Sequence, residues 1–183
     1  NELIPATETL IKAIATSIAP VGKATEIALT TTEGQPNYIW CNAPTENEGV
    51  ANLLDGQDGT ILHTEWNAGA VSAYQHYLLV SVEATDLANL KFRYKARTGN
   101  SNQMNFGDIP SGIKVYGSNE ENGTYEELYT VSGLSQTSGY DWTSPAIDAK
   151  SYRYLRFNVT ANRGFWHMAE FDLFKLTSVI EVA

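Results

Sequence analysis

The 183-residue sequence predicts an all-β sandwich or jelly roll with one short helix in front of it. Three observations carry this expectation. From residue 37 onward, short runs rich in β-branched and aromatic residues recur, and clusters of Gly, Asn and Ser separate them. One run, LKFRYKAR at 90–97, alternates cleanly, with Leu90, Phe92, Tyr94 and Ala96 on one side and Lys91, Arg93, Lys95 and Arg97 on the other. No βα alternation appears, and no internal repeat of roughly 20–50 residues.

The elements follow in order. Residues 7–19, TETLIKAIATSIA, place Leu10, Ile11, Ile14, Ala15 and Ile18 on one helical stripe. Thr7 or Thr9 can cap this helix, and Pro20 with Gly22 stops it. Its stripe requires burial against the sandwich or a neighbouring chain. Residues 21–36 read as a polar connector, which divides the chain into 1–36 (helix and connector) and 37–183 (the sandwich). Strands are expected at 76–84, 90–97, 112–118, 125–131, 152–159 and 169–176. The turns between them are RTGNSNQ, SNEENGT, SGLSQTSG and TANRG, where Gly and Asn supply the backbone freedom that chain reversal needs.

Composition bounds the function. A net charge of −9 opposes nucleic acid and anionic membrane surfaces as partners, because both select basic patches. The single cysteine, Cys41 in YIWCNA, forms no internal disulfide and reads as a small core residue. No run reaches the roughly 18 apolar residues of a membrane span, so membrane insertion is not expected. Catalytic patterns are sparse: three histidines (His63, His76, His167), and no G-x-S-x-G, P-loop or H-x-x-x-H. Glu46, Glu48, Glu120, Glu121, Glu126 and Glu127 lie in polar loops or on strand edges and are expected to be solvated; none is singled out as an acid or a nucleophile. The chain is expected not to be an enzyme.

One stretch stands apart. NLLDGQDGT at 52–60 crowds two aspartates, two glycines and a threonine behind a short apolar run. Taken alone it is either a hydrogen-bonded turn or a cation-binding loop.

The order of VANLLDGQDGTILHTEW, HYLLVSVE, LKFRYKAR, IKVYGSNEENGTYEEL and YRYLRFNVTANRGFWHMAEFDLF resembles the discoidin, or coagulation factor V/VIII type C, superfamily. Within it the chain is most similar to bacterial family 32 carbohydrate-binding modules, from about Tyr38 to Leu176. YGSNEENGTYEEL stands where that family has Y-x-S-x-D/N-G-x-x-W-x-x-L/V, with Tyr125 in place of the tryptophan. The resemblance implies a discoidin-like jelly-roll sandwich of the galactose-binding-domain type.

It also implies a structural Ca²⁺ site. Asp55 and Glu170 would give carboxylates, Thr60 its hydroxyl and carbonyl, and Asn52, Gln57 and Ala169 backbone carbonyls. Such a set suits a hard cation that takes about 6–8 oxygens. Asp58 falls outside the set and reads as a solvated turn residue.

Finally it implies a separate sugar site in the loops, for glycans of galactose or N-acetylgalactosamine type, built from His63, Arg97, Asn102 and an aromatic at Phe165 or Trp166. Arg97 either caps a strand edge or offers its donor fork to a ligand, Asn100 can stand in for Asn102, and Arg163 lies on the aromatic loop. His63 is equally readable as a buried histidine, and Trp66 is expected to pack in the core. These expectations describe a non-catalytic binding module of a secreted, periplasmic or bacterial cell-surface protein, with other domains as possible neighbours. Protein or cell-surface adhesion, or an accessory role beside a glycoside hydrolase, is the alternative.

Overall fold

The computed structural model describes residues 23–67, 72–83, 87–100, 102 and 104–177. The helix expected at 7–19 lies outside the described residues. Among those described, regular structure is β apart from two 3-10 turns, at Val50–Leu53 and Phe106–Asp108.

Two antiparallel sheets face each other. In the following, β1 is Lys23–Ile27, β2 Ile39–Cys41, β3 Leu62–His63, β4 His76–Ser81, β5 Leu90–Lys95 and β6 Gly112–Ser118. Then come β7 Glu126–Ser132, β8 Asp141–Thr143, β9 Tyr154–Thr160, β10 His167–Met168 and β11 Glu170–Thr177. One sheet runs β1-β11-β5-β8 and the other β2-β4-β9-β6-β7, while β3 and β10 form a small two-stranded ladder. The all-β sandwich is therefore the observed fold.

Alternation explains the layering. Leu90, Phe92, Tyr94 and Ala96 of β5 and its continuation are all fully buried, as the sequence pattern requires. Leu155, Phe157 and Val159 of β9 come from the opposite sheet and are equally buried. Three phenylalanines join the layers: Phe157 lies 5.2 Å from Phe92 and 5.0 Å from Phe171, edge to face in both cases. Cys41 sits in this core, and burial pushes its thiol pKa up to about 12, so it is a packing residue and not a nucleophile.

The charged side of β5 is tied down as well. Arg93 bridges Asp141 of β8 and Asp172 of β11 at 2.6 and 2.8 Å. On β6, Gly117 faces the ring of Tyr152 so closely that a Cβ would overlap it.

The structure corrects one boundary. Residues 23–27, read as part of a polar connector, form β1 and pair along β11 from Lys23↔Thr177 to Ile27↔Leu173. The sandwich thus reaches back to Lys23. The strand escaped notice because it is an edge: four of its five side chains are exposed, so no alternation marks it.

Candidate functional site

The chain brings two groups of chemically capable residues to the loops around β3 and β10. The ladder between these strands sets His63 opposite His167. Just beyond it Thr64 locks the junction. Its N–H donates to the Trp166 carbonyl at 2.9 Å, and its hydroxyl oxygen accepts from the Trp166 N–H at 2.8 Å.

A cleft of about 290 Å³ opens beside this junction. That lies at the low end of the roughly 300–1,000 Å³ usual for small-molecule sites. Its lining includes Trp66, Phe165, Arg97, Arg163, Asp108 and His63, together with Glu48, Asn105 and His167. Trp66 is 41% exposed and is the sole large exposed hydrophobic side chain among the described residues. It meets His63 edge-on, with ring centres 4.5 Å apart, and Phe165 lies on another side of His63 at 5.9 Å. Arg163 lays its guanidinium over the Phe165 ring at 4.6 Å.

The polar groups are arranged around Asp108. This residue ends the 3-10 turn that Asn105 caps, the Asn105 side chain accepting from the Gly107 N–H at 2.9 Å. The Asp108 carboxylate is buried, with Oδ2 3.4 Å from Arg163 Nη1 and 3.9 Å from His63 Nε2. Burial pushes its pKa up, and the charges of Arg163 and His63 pull it partly back. His63 Nδ1 lies 2.7 Å from the Thr64 carbonyl, which can only accept, so Nδ1 carries the proton. Nε2, the other ring nitrogen, faces Asp108 Oδ2. His167 is held neutral, its pKa pushed down to about 4 by burial first and by the nearby charges of His63 and Arg97. The cleft thus combines two guanidinium groups, a buried carboxylate, imidazole rings and aromatic walls.

The residues named from sequence distribute unevenly. His63, Arg97 and Phe165 line the cleft. Trp166 does not: it is fully buried, and its indole N–H points to the His76 carbonyl at 3.4 Å. The Thr64 junction turns it into the core; Phe165 lines the cleft but is itself buried, 5% exposed with Arg163 over its ring, so neither aromatic stands outward as expected. Trp66, expected in the core, is the exposed ring instead. Asn102 is exposed and outside the lining, its N–H donating to Asn100 Oδ1 at 3.0 Å; Asn105 holds the lining position. Glu48, expected on a solvated surface, lines the cleft too. Asp108 was not anticipated. Its only sequence signal is the local one, an acid between an Asn-x-Gly cap and the apolar Ile109-Pro110 pair.

The second group is the 52–60 loop. Asp55 organises it: Oδ1 accepts from the Gln57 N–H at 2.8 Å and Oδ2 from the Thr60 hydroxyl at 2.7 Å. Gly56 makes the turn between them with φ +71°. Asn52 donates its side-chain N–H to the Ile61 carbonyl at 2.6 Å. Glu170 and Ala169 approach from the start of β11. Glu170 is 9% exposed, and its Oε1 is buried without a hydrogen-bond partner. Burial, and then the charges of Asp55 and Asp172, raise its pKa. Among the described residues no cluster of three or more His, Cys, Asp or Glu could hold a metal. Two carboxylates that repel each other, one of them with an orphaned oxygen, nevertheless fit a hard cation whose other ligands are carbonyl and hydroxyl oxygens. Asp58 is not a free turn residue: its carboxylate pairs with Lys95 at 2.5 Å, and its carbonyl accepts from the Thr98 N–H at 3.0 Å.

No protein-family model matches this sequence, and no curated protein matches it. Solved structures do share the fold. A family 32 carbohydrate-binding module of Clostridium perfringens NanJ, in complex with galactose, is similar at TM-score 0.56 and 16% identity, over 75% of this chain and 92% of that one. An F5/8 type C domain from Bacteroides fragilis is similar at TM-score 0.62 and 12% identity, over 85% of this chain and 99% of that one. The family 32 module of AlyQ, in complex with 4,5-unsaturated mannuronic acid, is similar at 0.56 and 14% identity, over 82% and 98%. Those two family 32 modules hold different sugars on one fold.

Proposed function

We propose that this chain, whose sandwich has the fold of family 32 carbohydrate-binding modules and F5/8 type C domains, is a non-catalytic carbohydrate-binding module. It takes one terminal galactose-type sugar unit, galactose or N-acetylgalactosamine, in the loop-end cleft. The observation that carries this reading is Trp66, an exposed ring standing beside two guanidinium groups and a buried carboxylate in one small cleft. Sugar rings have an apolar C–H side and a hydroxyl edge, and the cleft offers a partner for each. Trp66 faces the C–H side. Arg97 and Arg163 donate to ring and hydroxyl oxygens, while Asp108 accepts from hydroxyls.

The same proposal gives the 52–60 loop a structural Ca²⁺ ion, held by Asp55, Thr60 and Glu170 with the Asn52, Gln57 and Ala169 carbonyls. The ion would supply charge compensation for Asp55 and Glu170 and no chemistry. A secreted or cell-surface protein that displays glycan-binding domains is the setting in which such a module works. Titration calorimetry with galactose, N-acetylgalactosamine and glucose tests the sugar reading. A shallow single-unit site should give Kd values from roughly micromolar to millimolar for the first two. Failure of all three sugars to bind, with no signal on a glycan array, would overturn it.

A further inference from the structure

Arg97 lies just past the end of β5. The pairing of β5 with β11 and with β8 stops at Lys95, opposite Glu170 and Asp141. The regular ladder therefore does not fix the Arg97 backbone. On one side it is held by the segment before β8: the Ala96 N–H donates to the Tyr140 carbonyl at 2.7 Å, and the Arg97 carbonyl accepts from the Gly139 N–H at 3.0 Å. On the other side it is held by Asp58 of the 52–60 loop.

Asp58 grips this strand end twice. Its carboxylate pairs with Lys95 at 2.5 Å, and its carbonyl accepts from the Thr98 N–H at 3.0 Å. Ala96 and Arg97 are enclosed between the two grips. The pair is only half-buried, so it contributes little to folding as such. What it fixes is the place of the strand end. A side chain that recognises a ligand works when its support holds it within about 0.5 Å of the productive geometry. Asp58 stands outside the set of oxygens offered to a cation, so the role given to the rest of its loop does not account for it. The same loop runs on through Ile61 to His63, and both of these line the cleft.

We propose that Asp58 is a positioning residue of the sugar cleft. By stapling Lys95 to Thr98 it sets the Arg97 backbone, and with it the donor fork that meets the ligand. Asp58 itself does not line the cleft and acts only through Arg97. The proposal rests on the sugar reading given above, and its test separates the two.

Asp58→Asn and Lys95→Met each break the staple, and they change the charge beside the cleft in opposite directions. Titration calorimetry with galactose, in the same calcium buffer throughout, should show both variants weakened in the same direction. Kd should rise by about 3- to 10-fold, the worth of one hydrogen bond lost to misplacement, with Tm close to wild type. The double variant should bind no worse than either single one, because the two changes remove one contact. NMR supplies a readout that needs no sugar: the Arg97 Nε–H signal should shift or broaden in both variants while that of Arg163 stays in place. Should Asp58→Asn fail to fold, Lys95→Met carries the same test. If the wild type takes no sugar, the sugar reading falls, and the Arg97 signal alone decides whether Asp58 sets this side chain. An unchanged Kd in both variants, Kd shifts of opposite sign, or an Arg97 signal identical to wild type would each overturn the proposal.

Discussion

The Asp55–Glu170 pair makes a quantitative prediction about calcium. Two carboxylates lie close together, and Glu170 is nearly buried with one oxygen unpartnered. In metal-free protein this arrangement opposes folding, and a cation bound only by the folded state reverses the sign. At calcium one hundredfold above Kd the stabilisation is about 2.7 kcal/mol. For a chain of this size each kcal/mol moves Tm by roughly 2–4 °C, so adding calcium should raise Tm by about 5–11 °C. Differential scanning calorimetry on EDTA-treated protein, verified metal-free, with and without millimolar calcium measures this directly. Glu170→Gln sharpens the test because its two effects have opposite signs. Without calcium it should match or exceed wild-type stability, since a buried charge facing Asp55 is gone. With calcium it should lose most of the gain. An identical wild-type Tm in the two buffers, or a Glu170→Gln protein that keeps the full calcium response, would refute the reasoning.

Three further predictions concern the cleft. Arg97→Ala should cost about 1.5–3 kcal/mol of galactose-type affinity, the worth of a charged hydrogen bond, which calorimetry reads as roughly a 10- to 150-fold rise in Kd. Trp66→Ala should weaken the same binding while leaving Tm close to wild type; Trp166→Ala should instead destabilise the fold by about 3–5 kcal/mol in urea unfolding, as large core truncations do. Asp108 contributes a pH dependence of known sign: its folded pKa is raised, so its contribution to stability is fully present below its unfolded pKa near 3.8 and is lost as pH rises through the folded value. Asp108→Asn should flatten the stability profile across that window, and should lower galactose affinity at neutral pH.

How far the sequence speaks differs from element to element. LKFRYKAR announced β5 because its period of two reflects a strand buried on one face. β1 and β8 carried no comparable sign. β1 is an exposed edge, and β8 has only three residues, too few to establish a period. The cleft shows the same division. Arg97, at the end of a legible strand, lies where a strand-end argument puts it. Trp66 and Trp166 exchanged roles because both sit beside the β3–β10 ladder, and only the Thr64 junction decides which ring turns inward. Asp108 joins the site through a contact with Arg163, fifty-five residues away in sequence, which the local cap pattern around Asp108 does not reveal. Asp58 is similar: its partner is Lys95 on another strand.

The pairing of β1 with β11 has a mechanical consequence. Lys23 and Thr177 are register partners in an antiparallel ladder, so the chain enters and leaves the sandwich at the same end of one strand pair. Tension between the preceding and following segments therefore loads this pair as a zipper. Its hydrogen bonds break in succession from Lys23 toward Ile27; they do not share the force as they would in shear. The sandwich held between two pulled ends yields first by losing its edge strand. The loop-end cleft draws no residue from β1, and it stays intact through that first step.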